Sequence, residues 1–322
     1  MAIYTKSTVS VIIPTRNEST NIVKLAEAID LLRSASHKNE TNFEFLIIDN
    51  LSTDQTWEML LEKFSNDSDV RLIQHLTNLG MQGSIMTGLK ECRGGAAIVL
   101  QSDLQDPPQI ITEMVKEWVS GSKYITTKIT KRNSSFVDRQ SRTLGYIFLN
   151  LLSGVKIQLN SGDFWLIDRS IIDQLVIRSN SRTFFRTALP RISVPDFVIP
   201  YERSSRKNGS TNFNFLGKYE FFIDAMLSDT RYLSMVLFFL SCGIFLISFL
   251  MLLIGIPILT STPEGEVHHF MSLLVVLGTS GVIFSTLLFP ITLIIEFLQR
   301  IYTDTNSGMN KNTYIEYKKP KL

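Results

Sequence analysis

The chain has 322 residues, 32 basic and 30 acidic, for a net charge of +2, so no overall field draws it to nucleic acid and none is expected as a partner. Its two cysteines, Cys92 and Cys242, fall in different regions and exclude a disulfide framework. The length suits one large domain with an accessory region. Residues 1–231 read as an α/β protein, whereas 232–295 are almost entirely apolar.

Val9 to Ile13 is a β-branched run closed by Pro14, which predicts a first buried strand. Helical spacing follows at Ile22, Leu25, Ala26, Ile29 and Leu32, and ends in the polar stretch from Ser34 to Asn42. Phe43 to Ile48 predicts a second strand. Ser52, Thr53 and Asp54 then supply cap chemistry for a helix through Trp57, Leu60, Leu61 and Phe64. Val70 to Gln74 predicts a third strand, followed by a glycine-punctuated loop and helix from Asn78 to Glu91. Ala96 to Leu100 predicts a fourth. Pro107 and Pro108 restart the chain as a helix to Val119, and Tyr124 to Lys128 continues the alternation. Such alternation predicts a mostly parallel sheet covered on both faces, with ligands at the carboxyl ends of its strands. Asp49, Asn78 and Asp103 all lie at such ends.

The turn after the fourth strand gathers Gln101, Asp103, Gln105 and Asp106. Oxygen ligands in that position suit a hard divalent cation that clamps a diphosphate. An acidic turn capping a helix is the simpler reading of the same residues. Further on, Lys131 to Asp138 reads as a polar loop and Arg139 to Leu152 as an amphipathic helix. The segment from Ser161 to Arg169 sets Asp163 beside a glycine ahead of a buried run. Phe213 to Tyr232 mixes aromatics with Lys218 and Arg231, which suits helices lying in a membrane interface; a core helix is the alternative.

Leu233 to Leu259 and Phe270 to Ile295 carry no charge, and each exceeds the ~20 residues that cross a bilayer as a helix. The loop between them, Thr260 to His269, holds Glu264 and Glu266 but no Lys or Arg. Lys218 and Arg231 precede the spans, and Arg300, Lys311, Lys318, Lys319 and Lys321 follow them. Positive-inside bias therefore places both termini in the cytoplasm at the inner membrane, with no signal peptide ahead of the first strand. His268 and His269 read as interfacial polar residues, since nothing nearby completes a ligand set. The expected division is a cytoplasmic catalytic domain at 1–212, interfacial helices at 213–231, a transmembrane hairpin at 232–298 and a cytoplasmic tail at 299–322.

Six motifs in order resemble family-2 glycosyltransferases with a GT-A domain, and within them the polyprenyl-phosphate glycosyltransferases, a group that includes dolichol-phosphate mannosyltransferase and the bacterial O-antigen glucosyltransferases. Val-Ile-Ile-Pro-Thr-Arg-Asn-Glu (11–18) resembles their V-x-P-x-x-N-E, and Ile-Asp-Asn-Leu-Ser-Thr-Asp-Gln-Thr (48–56) their D-x-x-S-x-D-x-T. Asn-Leu-Gly (78–80) is similar to their N-x-G, and Asp-Leu-Gln-Asp-Pro-Pro (103–108) to D-L-Q-x-P-P. Gly-Asp-Phe-Trp-Leu-Ile-Asp-Arg (162–169) matches G-D-F-x-L-x-D-R. Residues 201–210, Tyr-Glu-Arg-Ser-Ser-Arg-Lys-Asn-Gly-Ser, are similar to R-x-x-R-x-x-G-x-[ST].

The resemblance implies a Rossmann-like, mostly parallel α/β domain that transfers one sugar with inversion from a nucleotide sugar, UDP-glucose, to undecaprenyl or another polyprenyl phosphate for cell-surface polysaccharide. A GDP-mannose-dependent mannosyltransferase, a transferase acting on protein or polysaccharide, and a membrane-tethered nucleotide-sugar binder without turnover are the alternatives; a Q-x-x-R-W motif of processive synthases is absent. It assigns Pro14, Glu18, Asp49, Asn78 and Asp103 to the donor nucleotide, and Mg²⁺ or Mn²⁺ to Asp103, Gln105 and Gln101. Asp163 joins Asp103 as catalytic, acting at the acceptor as base or orienting group, and Arg203, Arg206, Lys207 and Ser210 take phosphate. A second copy of the chain and a glycolipid flippase are further implied partners. The sequence departs from the pattern at Gln101, where the first Asp of D-x-D usually stands, at Arg16 for tyrosine and at Thr211 for lysine.

Overall fold

The computed structural model describes residues 5–39, 41–131, 161–178, 183–203, 231–261, 263–305 and 314–317. Two compact units divide the chain, one holding every strand and the other the two long apolar helices. The first unit runs β1 (Thr5–Thr15), a 3-10 turn (Ser19–Asn21), α1 (Ile22–Asn39), β2 (Asn42–Asp49), α2 (Thr56–Phe64), β3 (Val70–His75), α3 (Gly80–Glu91), β4 (Gly94–Val99), α4 (Gln109–Val119) and β5 (Tyr124–Lys131). It continues with β6 (Ser161–Asp168), α5 (Arg169–Arg178), α6 (Phe185–Ile192), β7 (Phe197–Glu202) and, after the apolar helices, β8 (Tyr314–Glu316).

The strands form one eight-stranded sheet in the order β7-β5-β6-β4-β1-β2-β3-β8. β4, β1, β2 and β3 are mutually parallel, as the alternation predicts, and β5 pairs parallel with β7. β6 runs antiparallel between β4 and β5, and β8 antiparallel to β3. This is the mostly parallel GT-A-type α/β sheet expected above.

Both faces of the sheet are buried, which is why its strands read as nearly continuous apolar runs. Val9, Val11 and Ile13 of β1 and Phe45 and Ile47 of β2 pack on Leu25 and Ile29 of α1, Leu60 of α2 and Met114 of α4. The alternate positions, Ile12, Leu46, Ile48, Ala97 and Val99, pack on Ile85 and Leu89 of α3, Leu175 of α5 and Phe185 of α6. The expected stop at Pro14 does not occur, since β1 pairs with β2 through Thr15. Pro14 falls on the side of β4, which has already ended at Val99, so its missing N–H costs no ladder bond. Its carbonyl instead accepts from Ser102 Oγ at 3.1 Å.

β8 brings the chain back to this sheet beyond the apolar helices. Arg71 of β3 donates to Glu316 at 2.7 Å and to Glu91 of α3 at 3.1 Å, and Tyr314 donates to Glu91 at 2.5 Å. These bonds fasten a three-residue strand that backbone pairing alone would hold weakly. A segment expected to be a plain tail therefore closes one sheet edge.

The second unit is an antiparallel pair, α7 (Arg231–Ser261) and α8 (Glu266–Thr305), containing the two stretches long and apolar enough to cross a membrane, Leu237–Ser261 and Glu266–Ile295. α8 starts before His268 and His269, which were expected in the loop; Glu266 in its first turn complements the helix dipole. Small residues bring the backbones together: a Cβ on Gly278 would lie 2.9 Å from Leu252, and Ser241 Oγ donates to the Ser285 carbonyl at 3.0 Å. The interfacial helices expected at 213–231, apart from Arg231, and the loop and helix expected at 131–152, apart from Lys131, lie outside the described residues.

Gly88 is where α3 meets β1, since a Cβ there would sit 2.3 Å from Ile12 Cγ2. Gly88→Ala is expected to destabilise the sheet unit by about 1–3 kcal/mol through overpacking. A thermal melt of the purified protein checks this, and an unchanged midpoint would contradict the packing described.

Candidate active site

The carboxyl ends of β1, β2, β3 and β4 carry the residues singled out from the sequence. Asp49 closes β2 and is fully buried. Its carboxylate accepts from the Ser52 hydroxyl, from Ser52 N–H at 3.2 Å and from Gln74 Nε2 at 3.2 Å. The loop after β1 interlocks with the loop after β2. Asn17 N–H donates to Ser52 Oγ at 3.0 Å, Thr53 N–H to Asn17 Oδ1 at 2.8 Å, and Glu18 N–H to Thr56 Oγ1 at 2.9 Å. The Glu18 carboxylate accepts from Asn21 Nδ2.

Three residues other than glycine adopt positive φ among those described: Asn17 (52°), Leu51 (54°) and Leu104 (51°). Each follows a strand at this one end of the sheet. Asn tolerates the left-handed region, but leucine there costs on the order of 1–3 kcal/mol, and such strain concentrates at ligand-binding loops.

Past β3, Asn78 Oδ1 accepts from Asn50 Nδ2 at 2.7 Å and Gly80 N–H at 3.0 Å, which caps the start of α3. Asn50 Oδ1 accepts from Leu79 N–H at 2.9 Å and meets His75 Nδ1 at 3.2 Å, while His75 Nε2 meets Thr87 Oγ1 at 2.9 Å. Burial pushes the His75 imidazole down to about 4, so it bridges the Asn50 loop and helix α3 as a neutral ring. The sequence reading passed over Asn50, although it stands beside Asp49 in the second motif.

The turn after β4 separates roles that sequence alone could not. Asp103 accepts from Gln105 N–H at 3.2 Å. Asp106 is instead buried; Tyr201 of β7 donates its hydroxyl to it, and Arg203 pairs with it through Nε at 3.0 Å. Burial pushes the Asp106 carboxyl up, against the opposing pull of Arg203 and Tyr201. Arg203 Nη2 also donates to Gln101 Oε1 at 2.9 Å. In this arrangement Arg203 holds the Asp106 turn, and the Gln101 carboxamide oxygen faces a guanidinium. Arg206, Lys207 and Ser210 lie outside the described residues, as does Thr211.

Asp163 sits near the start of β6. Its side chain is 1% exposed and takes both ends of the Arg186 guanidinium, at 3.1 Å (Nε to Oδ1) and 3.0 Å (Nη2 to Oδ2). The β4–β6 register, extended past Ile98↔Leu166, sets Asp163 level with Gln101. Asp163 thus belongs to the same end of the sheet as Asp103. The segment Thr-Phe-Phe-Arg-Thr gave no signal for Arg186, because it is tertiary packing, including Phe185 against Trp165 (ring centroids 5.7 Å), that brings α6 to β6.

Among the described residues no three His, Cys, Asp or Glu side chains converge as a self-sufficient metal cage. Asp103 in its tight turn fits a cation of the kind held by one carboxylate together with substrate phosphates.

This sheet gathers carboxylates and arginines at its carboxyl end, where α/β sheets of this type bind ligands. Residues 10–176 match the model of glycosyl transferase family 2, and the chain belongs to that family of glycosyltransferases. Over 205 residues it is 28% identical to the glycosyltransferase YkcC of Bacillus subtilis, a stretch covering 63% of this chain and 62% of that protein. It is 24% identical over 307 residues to the Synechocystis glycosyltransferase sll0501, covering 92% of each. It is also 23% identical over 303 residues to the bactoprenol glucosyl transferase of Shigella phage SfX, covering 93% of this chain and 96% of that one.

The two carboxylates of the turn predict opposite phenotypes. Asp103→Ala is expected to abolish turnover and the divalent-metal-dependent part of nucleotide binding. Asp106→Asn is expected to retain metal-dependent binding while lowering the melting midpoint, because it weakens a buried ion pair. Calorimetry beside thermal melts checks both, and loss of the metal dependence in Asp106→Asn alone would reverse the assignment.

His75 predicts an acid limb in stability. Its folded-state value, about 4, lies below the ordinary 6.5, so the unfolded chain binds the proton first as pH falls. Stability conferred by the neutral ring is complete above about pH 6.5 and is lost progressively towards pH 4. Melting midpoints across pH 4–8 are expected to fall less steeply in His75→Gln than in the parent. Parallel curves would contradict this.

Proposed function

We propose that the protein transfers one glucose, with inversion, from UDP-glucose to undecaprenyl or a related polyprenyl phosphate at the cytoplasmic face of the inner membrane. The likeness to the bactoprenol glucosyl transferase of phage SfX along 93% of the chain carries this reading. Two helices long and apolar enough to cross a membrane support a lipid acceptor.

In this reading Pro14, Glu18, Asp49 and Asn78 frame the nucleoside, on loops held by the hydrogen bonds that surround Asp49. Asp103, with Gln105 and Gln101 near it, would hold Mg²⁺ or Mn²⁺. When bound, the ion supplies positive charge against that accumulating on the leaving nucleoside diphosphate. Arg203 keeps Asp106 and Gln101 in place beside Asp103, while Arg206, Lys207 and Ser210 take phosphate. A phosphate oxygen of the acceptor forms the new bond to the anomeric carbon as the bond to the nucleoside diphosphate breaks on the opposite face. The acceptor phosphate is already an anion, so little proton removal is needed. An Asp163 with both oxygens on Arg186 suits an orienting group better than a base.

Connectivity supports a hairpin. β8 lies in the same sheet as β1 to β4, so the segments before α7 and after α8 meet in one unit, which accords with two crossings. The basic residues flanking the spans favour the cytoplasm for the sheet.

Membrane vesicles of known orientation test donor, acceptor and side together, because UDP-glucose does not cross the bilayer. Inside-out vesicles are expected to transfer label from UDP-glucose to undecaprenyl phosphate, and sealed right-side-out vesicles are not. Transfer in right-side-out vesicles alone would reverse the topology. No labelled lipid in either, with label entering from GDP-mannose instead, would overturn the donor.

A further inference from the structure

The exposure of the Asp163–Arg186 pair is lopsided. Asp163 is 1% exposed and has both oxygens on the guanidinium, whereas the Arg186 side chain is 23% exposed. The arginine is therefore the more exposed member of the pair, and the carboxylate holds both ends of its guanidinium. A second observation concerns the same place. Gln82, in the first turn of α3, uses its Oε1 to accept the Phe185 N–H at 3.4 Å, next to Arg186. Its Nε2 is buried with no hydrogen-bond partner among the described residues. A buried N–H left without an acceptor is costly, and an oxygen-rich ligand relieves that cost.

We propose that Arg186, held by Asp163 and flanked by the Gln82 amide, binds a phosphate group of the substrate. This rests on the reading of the site as one for sugar transfer between phosphates and deepens it. It makes Asp163 a positioning residue and Arg186 the group that touches substrate. The ligand is an anionic phosphate, which in this reaction comes from two sources, the monoester of the lipid acceptor or the diphosphate of the donor. The register that sets Asp163 level with Gln101 keeps this subsite beside the Asp103 turn.

The full-length protein in detergent gives the test, with two arms. One varies a short-chain polyprenyl phosphate at saturating donor, and the other measures UDP binding with Mn²⁺ by calorimetry. Arg186→Lys keeps the charge but loses the planar fork. It is expected to raise either the acceptor KM or the UDP Kd about tenfold or more. The arm that responds names the source. Because Arg186→Gln alone strands a buried carboxylate, it is paired with Asp163→Asn, which removes both charges together. If Arg186 binds phosphate, the double variant melts near the parent and still binds poorly. Parental KM and Kd in the double variant, or in Arg186→Lys, would overturn the proposal. Absence of any transfer to polyprenyl phosphate by the parent protein would instead count against the function proposed above. The calorimetric arm, repeated with inorganic pyrophosphate, then decides on Arg186 by itself.

Discussion

The buried pair of Arg203 and Asp106 is the joint on which the candidate site depends. Arg203 follows β7 at one edge of the sheet, and Asp106 stands in the turn after β4 near its centre. β6 and β5 lie between them, so no backbone pairing links the two. The side chains supply the link. Arg203 reaches Asp106 at 3.0 Å and Gln101 at 2.9 Å, and Tyr201 of β7 adds its hydroxyl to Asp106. Taking one partner from a buried pair typically costs about 3–5 kcal/mol, because the other charge is left without water or counter-charge. The position of Asp103, three residues from Asp106, is inherited from this contact. An uncharged Gln101 is intelligible here, since its carboxamide accepts from the same guanidinium without adding a second carboxylate to the turn.

Asp163 and Arg186 repeat this logic across β6. A carboxylate near the start of an inner strand is pinned by an arginine from a helix above the sheet. In both pairs the carboxylate is at least 98% covered by its side-chain exposure, while the arginines keep 14% and 23% of theirs. The buried acids are thus fixed supports, and the arginine is the more exposed member of each pair. Asn17, Leu51 and Leu104, at positive φ, lie in the loops of this same end of the sheet.

The parallel core was legible because strands covered on both faces must be apolar throughout, and β1 to β4 announce themselves that way. The antiparallel β6 was not legible as such. Its run from Phe164 to Ile167 reads as buried, but nothing in a periodicity of two records which neighbour a strand takes or in which direction. β8 is three residues long and is fixed by side chains of Arg71, Glu91 and Tyr314 rather than by its own pattern. Among the candidate site residues, Asp49, Asn78, Asp103 and Asp163 were singled out by their place at strand ends or beside a glycine. Arg186 and Asn50 were not, because their partners are distant in sequence and only the fold creates the contact. The apolar hairpin was the plainest feature of all, since length and absence of charge alone identify it.

The account stands on a division between a carboxylate that meets substrate and carboxylates that hold arginines. Diffraction from crystals grown with UDP and Mn²⁺, with data collected at the manganese absorption edge, tests that division directly. The account predicts an anomalous peak between the Asp103 carboxylate and the diphosphate, with Arg203 still on Asp106 and Arg186 still on Asp163. A peak coordinated by Asp106 or Asp163, with its arginine displaced, would contradict it.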